Sequence, residues 1–160
     1  MEISNKVSGV TYERGVARIT VRQVPDQPGV AAALFEPLTD AGISVDTIVQ
    51  NASADRLTDV SFTVAQAEVA KALEVTRAVA ARIEAAECVS DEHLGNVSIV
   101  GTGMENAPGY ASRMFRSLSE AGINIEMITT SQIRITCIVA ESQVTDAVRA
   151  LHKSFELDQA

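Results

Sequence analysis

The chain is poor in the residues that most catalytic and metal-binding folds depend on. Its 160 residues include two cysteines, two histidines and three lysines, and aromatic residues make up 4%. The thiols, Cys88 and Cys137, are too few for a disulfide framework and both sit in strand-like runs, which reads as free thiols in a reducing compartment. The histidines, His93 and His152, are isolated. His93 follows the acidic turn Asp91-Glu92, and His152 lies beside Leu151 on the last helical pattern, so both read as surface residues with no zinc-ligand spacing. Thirteen basic residues stand against 21 acidic ones, a net charge of −8, with no basic stripe; nucleic acid is not an expected partner, whereas a small molecule or another protein is. No run of about 18 apolar residues offers a membrane span. The start, Met1-Glu2-Ile3-Ser4-Asn5-Lys6, lacks the basic-then-apolar pattern of a signal peptide, so a cytoplasmic protein with no membrane partner is expected. There is no Gly-x-Ser-x-Gly elbow and no phosphate-binding loop of the Walker type, and Gly101-x-Gly103 has no third glycine before the next helix. The acidic residues form no acid–base pair. No catalytic residue, metal site or cofactor is therefore assigned.

What the chain does have is apolar content and repetition. At 46% hydrophobic and 21% charged it is no disordered chain, and its length suits one domain or two small ones. Shifted by 80 residues, the sequence overlays on itself. Pro28-Gly29 falls on Pro108-Gly109, Ala41-Gly42-Ile43 on Ala121-Gly122-Ile123, and nine of the 21 positions from Pro28 to Ile48 are identical. Beyond that the shift is 75, because the first copy carries about five extra residues near Ala52–Arg56. Two copies are too few for a solenoid and indicate a duplicated small domain.

Both copies follow one order of patterns. In the first, Ala17, Ile19 and Val21 alternate with polar residues as in a half-buried strand. Pro28-Gly29 opens a helix whose apolar stripe runs Ala31, Leu34, Phe35, Leu38, Ala41, and Gly42 closes it. Ile43 to Val49 alternates again, Val60–Val64 is a third strand, Val69 to Ile83 carries a second helical stripe, and Cys88-Val89 is a short fourth strand. The second copy predicts strand Val97–Val100, helix Pro108–Ala121, strands Asn124–Thr130 and Gln132–Val139, and helix Gln143–Ser154. Strand-helix-strand-strand-helix-strand is the ferredoxin-like order. The second copy lacks its own fourth strand, and Val7–Tyr12 is surplus ahead of the first. The economical solution is that Val7–Tyr12 completes the second sheet, since an open inner edge would leave backbone groups unsatisfied. The expected architecture is α+β, two ferredoxin-like βαββαβ domains: residues 14–92, and residues 93–156 with strand 7–12. Pro37 falls inside the first helix and predicts a bend or an irregular last turn.

The strand-to-helix turns, Val24-Pro25-Asp26-Gln27-Pro28-Gly29 and Met104-Glu105-Asn106-Ala107-Pro108-Gly109, are the places to look for function. A helix start offers unpaired N–H groups and a positive dipole end, which suit a carboxylate, and a glycine there admits close approach. Asp26 could take an ammonium, so that together they would recognise a free amino acid. The alternative is that Asp26 only caps its turn.

The duplicated strand, Pro-Gly, helix and Ala-Gly-Ile unit resembles the ACT domain, a small amino-acid-sensing module. Val97–Val139 is similar to the second ACT domain of aspartate kinases, most specifically over Gly122-Ile123-Asn124-Ile125-Glu126-Met127-Ile128. Gln50-Asn51 resembles the first such domain, and Val7–Tyr12 the segment leading into it from the kinase domain. The resemblance implies a regulatory part without catalysis of its own, binding threonine, lysine or both for feedback inhibition of aspartate-family amino-acid synthesis. Starting at Met1 without a kinase domain, the chain would be a small subunit or an excised regulatory region; ATP and magnesium would belong to the kinase domain. It also implies the contacts: Asp26, Gln27 and Gln50 with the turn Gly29, Val30 and Ala31 from the first domain, Ile123, Asn124 and Ile125 from the second, and Ser53 and Ser131 nearby. The expected partners are a second copy, as a homodimer through ACT domains, and a kinase domain or catalytic subunit. A stand-alone ACT-repeat sensor of another enzyme is the alternative. Three positions depart from the family: Gln132 replaces a usual Glu, Ala111 a hydroxyl found in some members, and Tyr110 a smaller residue. Tyr110 either narrows the second pocket or packs on the sheet.

Overall fold

The structure, a computed structural model, describes residues 7–52, 55–102, 104 and 109–157. Its elements run β1 (Val7–Pro25), α1 (Val30–Asp40), β2 (Ile48–Ala52), β3 (Leu57–Ala65), α2 (Val69–Arg82), β4 (Glu87–Gly101), α3 (Tyr110–Glu120), β5 (Met127–Thr130), β6 (Arg134–Ala140) and α4 (Val144–Ser154). By its internal contacts the chain divides into one unit spanning Gly15–Glu92 and another formed by the residues before Gly15 together with those from His93 onward.

The first unit has strand order β2-β3-β1-β4, using the later part of β1 and the start of β4. Its ladders are antiparallel, with Ile19 opposite Phe62 and Gln50 opposite Val60. Alternation puts Ala17, Ile19 and Val21 on the inner face, where they meet Leu34 and Leu38 of α1 and Ala72, Val79 and Ala80 of α2. Phe35 meets Phe62 edge-to-face, ring centres 5.3 Å apart at 76°. At the end of α1 the chain reverses through Gly42 (φ 76°), and the Ile43 amide returns to the Leu38 carbonyl at 2.9 Å. Six-to-one closure of this kind needs a left-handed residue, which glycine supplies without strain.

The second unit repeats the plan in the order β1-β4-β6-β5, and its fourth strand is the N-terminal part of β1. Ser8 Oγ donates to the Val100 carbonyl (3.1 Å), Asn96 Nδ2 to Glu13 Oε2 (3.2 Å), and Arg14 Nη2 to Thr145 Oγ1 (2.5 Å). The N-terminal strand thus completes the second sheet. Gly95 makes the fit possible, because a Cβ there would stand 2.8 Å from the Glu13 carbonyl oxygen and against the Val144 side chain. The core runs through Val97, Ile99, Met114, Leu118, Cys137 and Leu151.

Several element boundaries differ from the sequence reading. Val7–Tyr12 and Ala17–Val21 are one strand, as are Cys88-Val89 and Val97–Val100. Polar side chains also pair across these strands, with Arg18 held to Asp91 at 2.8 Å and Arg22 to Glu87 at 3.0 Å. The strands expected from Ile43 and from Asn124 start later, at Ile48 and Met127. Ile43, Thr47 and Ile123 alternate into the core, but the amides of Ser44, Val45, Asn124 and Ile125 join no ladder. Pro37 does not end α1, which continues to Asp40. At the matching position of α3, Ser117 Oγ donates to the Arg113 carbonyl (2.9 Å).

Candidate functional site

A cleft of about 560 Å³ opens in the first unit where β1 turns into α1. Its mouth is the turn Pro25-Asp26-Gln27-Pro28-Gly29, its floor Val24, Leu34, Phe35 and Val60, and its far wall Ile48, Gln50 and Thr58 of β2 and β3. It exists because β2 is an edge strand. Ile48 and Gln50 point to the helix side of the sheet, yet α1 leaves them uncovered, and Ile48 stays 52% exposed.

The turn is built to present backbone donors. Gly29 precedes α1 with φ 89°, a conformation that costs a side-chain-bearing residue strain, and among the described residues no side chain caps the helix. The Asp26 amide donates to the Arg56 carbonyl (2.9 Å) and the Val30 amide to the Gln27 carbonyl (3.3 Å). The amides of Ala31 and Ala32 have no acceptor among the described residues, as expected for a first helical turn. They lie at the positive end of the helix dipole, where an anionic group is stabilised. The Asp26 side chain is exposed and makes no hydrogen bond or ion pair among the described residues. Thr58 is 2% exposed, and its hydroxyl donates to the Asn51 carbonyl at 2.5 Å, leaving oxygen lone pairs on the cleft wall. Among the described residues no lysine or arginine lines the space. One carboxylate, a set of free amides, neutral amides on Gln27 and Gln50, and an apolar floor are a chemistry for a zwitterion with a small body.

Six of the residues singled out in the sequence, Asp26, Gln27, Gly29, Val30, Ala31 and Gln50, line this cleft. Ile123, Asn124, Ile125 and Ser131 belong to the second unit. Ile123 is buried behind α3, with its amide on the Leu118 carbonyl (2.9 Å). Asn124 is exposed and reaches Glu126 Oε1 at 3.4 Å. Ser131 sits in the β5–β6 turn, where its amide donates to the Arg134 carbonyl (2.8 Å). Ser53 lies outside the described residues. Sequence reasoning missed Thr58, Ile48 and Val60, which the β2–β3 register carries to the cleft from a strand beyond the next turn.

The remaining groups lie elsewhere. Tyr110 packs in the second core, stacked on Phe155 with ring centres 6.4 Å apart. Burial pushes the Cys137 thiol up to about 12, and burial raises the Cys88 thiol against an opposing effect of Arg77. Neither belongs to the cleft. Among the described residues no cluster of three His, Cys, Asp or Glu side chains could hold a metal ion, and no helix is long and apolar enough to cross a membrane.

Duplicated ferredoxin-like units with a cleft at a strand-to-helix corner define a class of small regulatory domain, and comparison with known proteins gives its family. The chain belongs to the ACT domain family, which matches residues 19–78 and 97–155, and it corresponds to the regulatory part of aspartate kinases. It is 45% identical to the aspartokinase of Pseudomonas aeruginosa over 152 residues, 95% of this chain and 37% of that one. It thus spans little more than a third of that relative's length. Among solved structures it resembles a chain of the aspartokinase alpha and beta subunits (41% identity, TM-score 0.86, 94% of this chain and 99% of that chain). It also resembles the ligand-free regulatory subunit of aspartate kinase from Thermus thermophilus (37% identity, TM-score 0.87, with the same coverage of both chains).

Proposed function

We propose that the chain is the non-catalytic regulatory part of an aspartate kinase and that its cleft takes a free end-product amino acid, threonine, lysine or both, to impose feedback inhibition. The observation that carries this reading is the cleft itself, where amides at the start of α1 and the Asp26 carboxylate, all without partners among the described residues, flank one apolar floor. The α-carboxylate sits on the Ala31 and Ala32 amides, the α-ammonium on Asp26, and Gln50 and Thr58 read the side chain. Burial of both charged ends demands such full pairing. A partner copy in an ACT-domain homodimer supplies Ile123, Asn124, Ile125 and Ser131 from its second domain. Ligand that binds one arrangement of the domains better than another shifts that equilibrium, which is the coupling a kinase domain or catalytic subunit would feel. The kinase part would bring ATP and magnesium, and the assembly would work in the cytoplasm.

Calorimetric titration with threonine, lysine and tryptophan tests the reading. Micromolar-to-millimolar binding of threonine or lysine and none of tryptophan is expected; no binding of threonine or lysine would overturn it.

A further inference from the structure

The two copies have diverged at the corner that forms the cleft. Asp26 and Gln27 correspond to Asn106 and Ala107 in the second copy, and the acid of that turn, Glu105, falls on the position of Pro25. Gln50 and Thr58 correspond to Thr130 and Ile133. The larger change is at the first helical residue. Val30 is half-buried on the cleft, whereas its counterpart Tyr110 is 9% exposed and lies in the second core. Tyr110 stacks on Phe155, with 19° between the rings, and the Arg113 guanidinium stands 4.7 Å from the centre of the Phe155 ring. Arg113 also donates to the Ser154 carbonyl. These contacts tie the first turn of α3 to the end of α4. The first copy has Val30, Ala33 and Ala80 at the three positions and cannot build them.

We infer that the chain takes one amino-acid effector per copy of the protein, at Asp26 and the start of α1, and that the start of α3, its counterpart in the second copy, is a fixed structural joint. Where the half-buried Val30 lines an open cleft, the Tyr110 ring is held in the core by its stack on Phe155, so the first turn of α3 is tied down. A buried aromatic pair is stabilised by its area and by its ring geometry together. The exchange of Asp26 for Asn106 also removes the charge that would hold an ammonium. This inference rests on the reading of the cleft as an effector site.

Equilibrium dialysis of the protein to saturation, with labelled threonine and labelled lysine as separate probes, counts the sites. Hydrogen exchange with and without the bound probe then locates them. One molecule per chain is expected. Protection should fall on residues 26–34 and not on 109–118, and Asp26→Asn should weaken all uptake about tenfold. Two molecules per chain, protection over 109–118, or uptake unchanged in Asp26→Asn would overturn the inference. Two molecules per chain would leave the effector reading standing, whereas no uptake of either probe would remove both.

Discussion

Replacing Asp26 by Asn keeps the shape of the side chain and removes its charge. In the free protein Asp26 stands exposed with no partner among the described residues, so the substitution breaks no internal bond. Unfolding free energy should therefore move by less than about 0.5 kcal/mol, the usual range for such surface changes. With ligand bound, the ammonium loses a charge-assisted hydrogen bond, typically about 1.5–3 kcal/mol. That is about ten- to 150-fold in Kd. Solvent reaches Asp26, so the low end applies at physiological ionic strength, and the difference between wild type and variant should widen as salt is lowered. Calorimetry with the amino acid that the wild type binds gives the Kd ratio, and urea unfolding gives the stability. A Kd within twofold of wild type, with stability intact, would refute the role given to Asp26. An effect that does not change with salt would refute its electrostatic origin.

Three further outcomes follow from the packing. Gly95→Ala places a methyl group 2.8 Å from the Glu13 carbonyl and against Val144, so about 1–3 kcal/mol of stability should be lost and the N-terminal strand should exchange its amides faster; an unchanged urea midpoint would contradict this. Phe62→Ala empties a fully buried site under Phe35 and should cost about 3–5 kcal/mol by urea unfolding, with ligand binding lost as the cleft floor loosens. Cys137 keeps its proton in the folded state because burial lifts it from 9.0 to about 12, while the unfolded thiol ionises near its ordinary value. Its contribution is therefore constant below pH 9 and declines by about 1.4 kcal/mol per pH unit from there towards 12. Cys137→Val should remove that part of the alkaline slope, and native Cys137 should resist iodoacetamide; an unaltered slope would show that burial does not hold the proton.

The repeat, the ferredoxin-like order and the donated strand Val7–Tyr12 were legible because duplication exposes a missing part: one copy had a strand too few and the other a strand to spare. The turn Asp26–Gly29 was legible because Pro-Gly before an apolar helical stripe has one local meaning. Less legible were features that depend on distant neighbours. Polar residues such as Glu13, Arg14 and Asp91 hid the continuity of β1 and β4, since a ladder is kept by backbone pairing whatever the side chains. Thr58 reaches the cleft only through the β2–β3 register, and Ile48 is uncovered because α1 does not reach over the edge strand β2. Tyr110 was open between pocket and core because its fate turns on Phe155, which lies 45 residues later in the chain.

Amide chemical-shift mapping bears most directly on the cleft. Labelled protein titrated with threonine, and separately with lysine, should show the largest saturable movements at Ala31 and Ala32, the amides left without acceptors at the start of α1. Movements that cluster elsewhere while these two stay still would contradict the assignment of that helix start as the seat of the carboxylate.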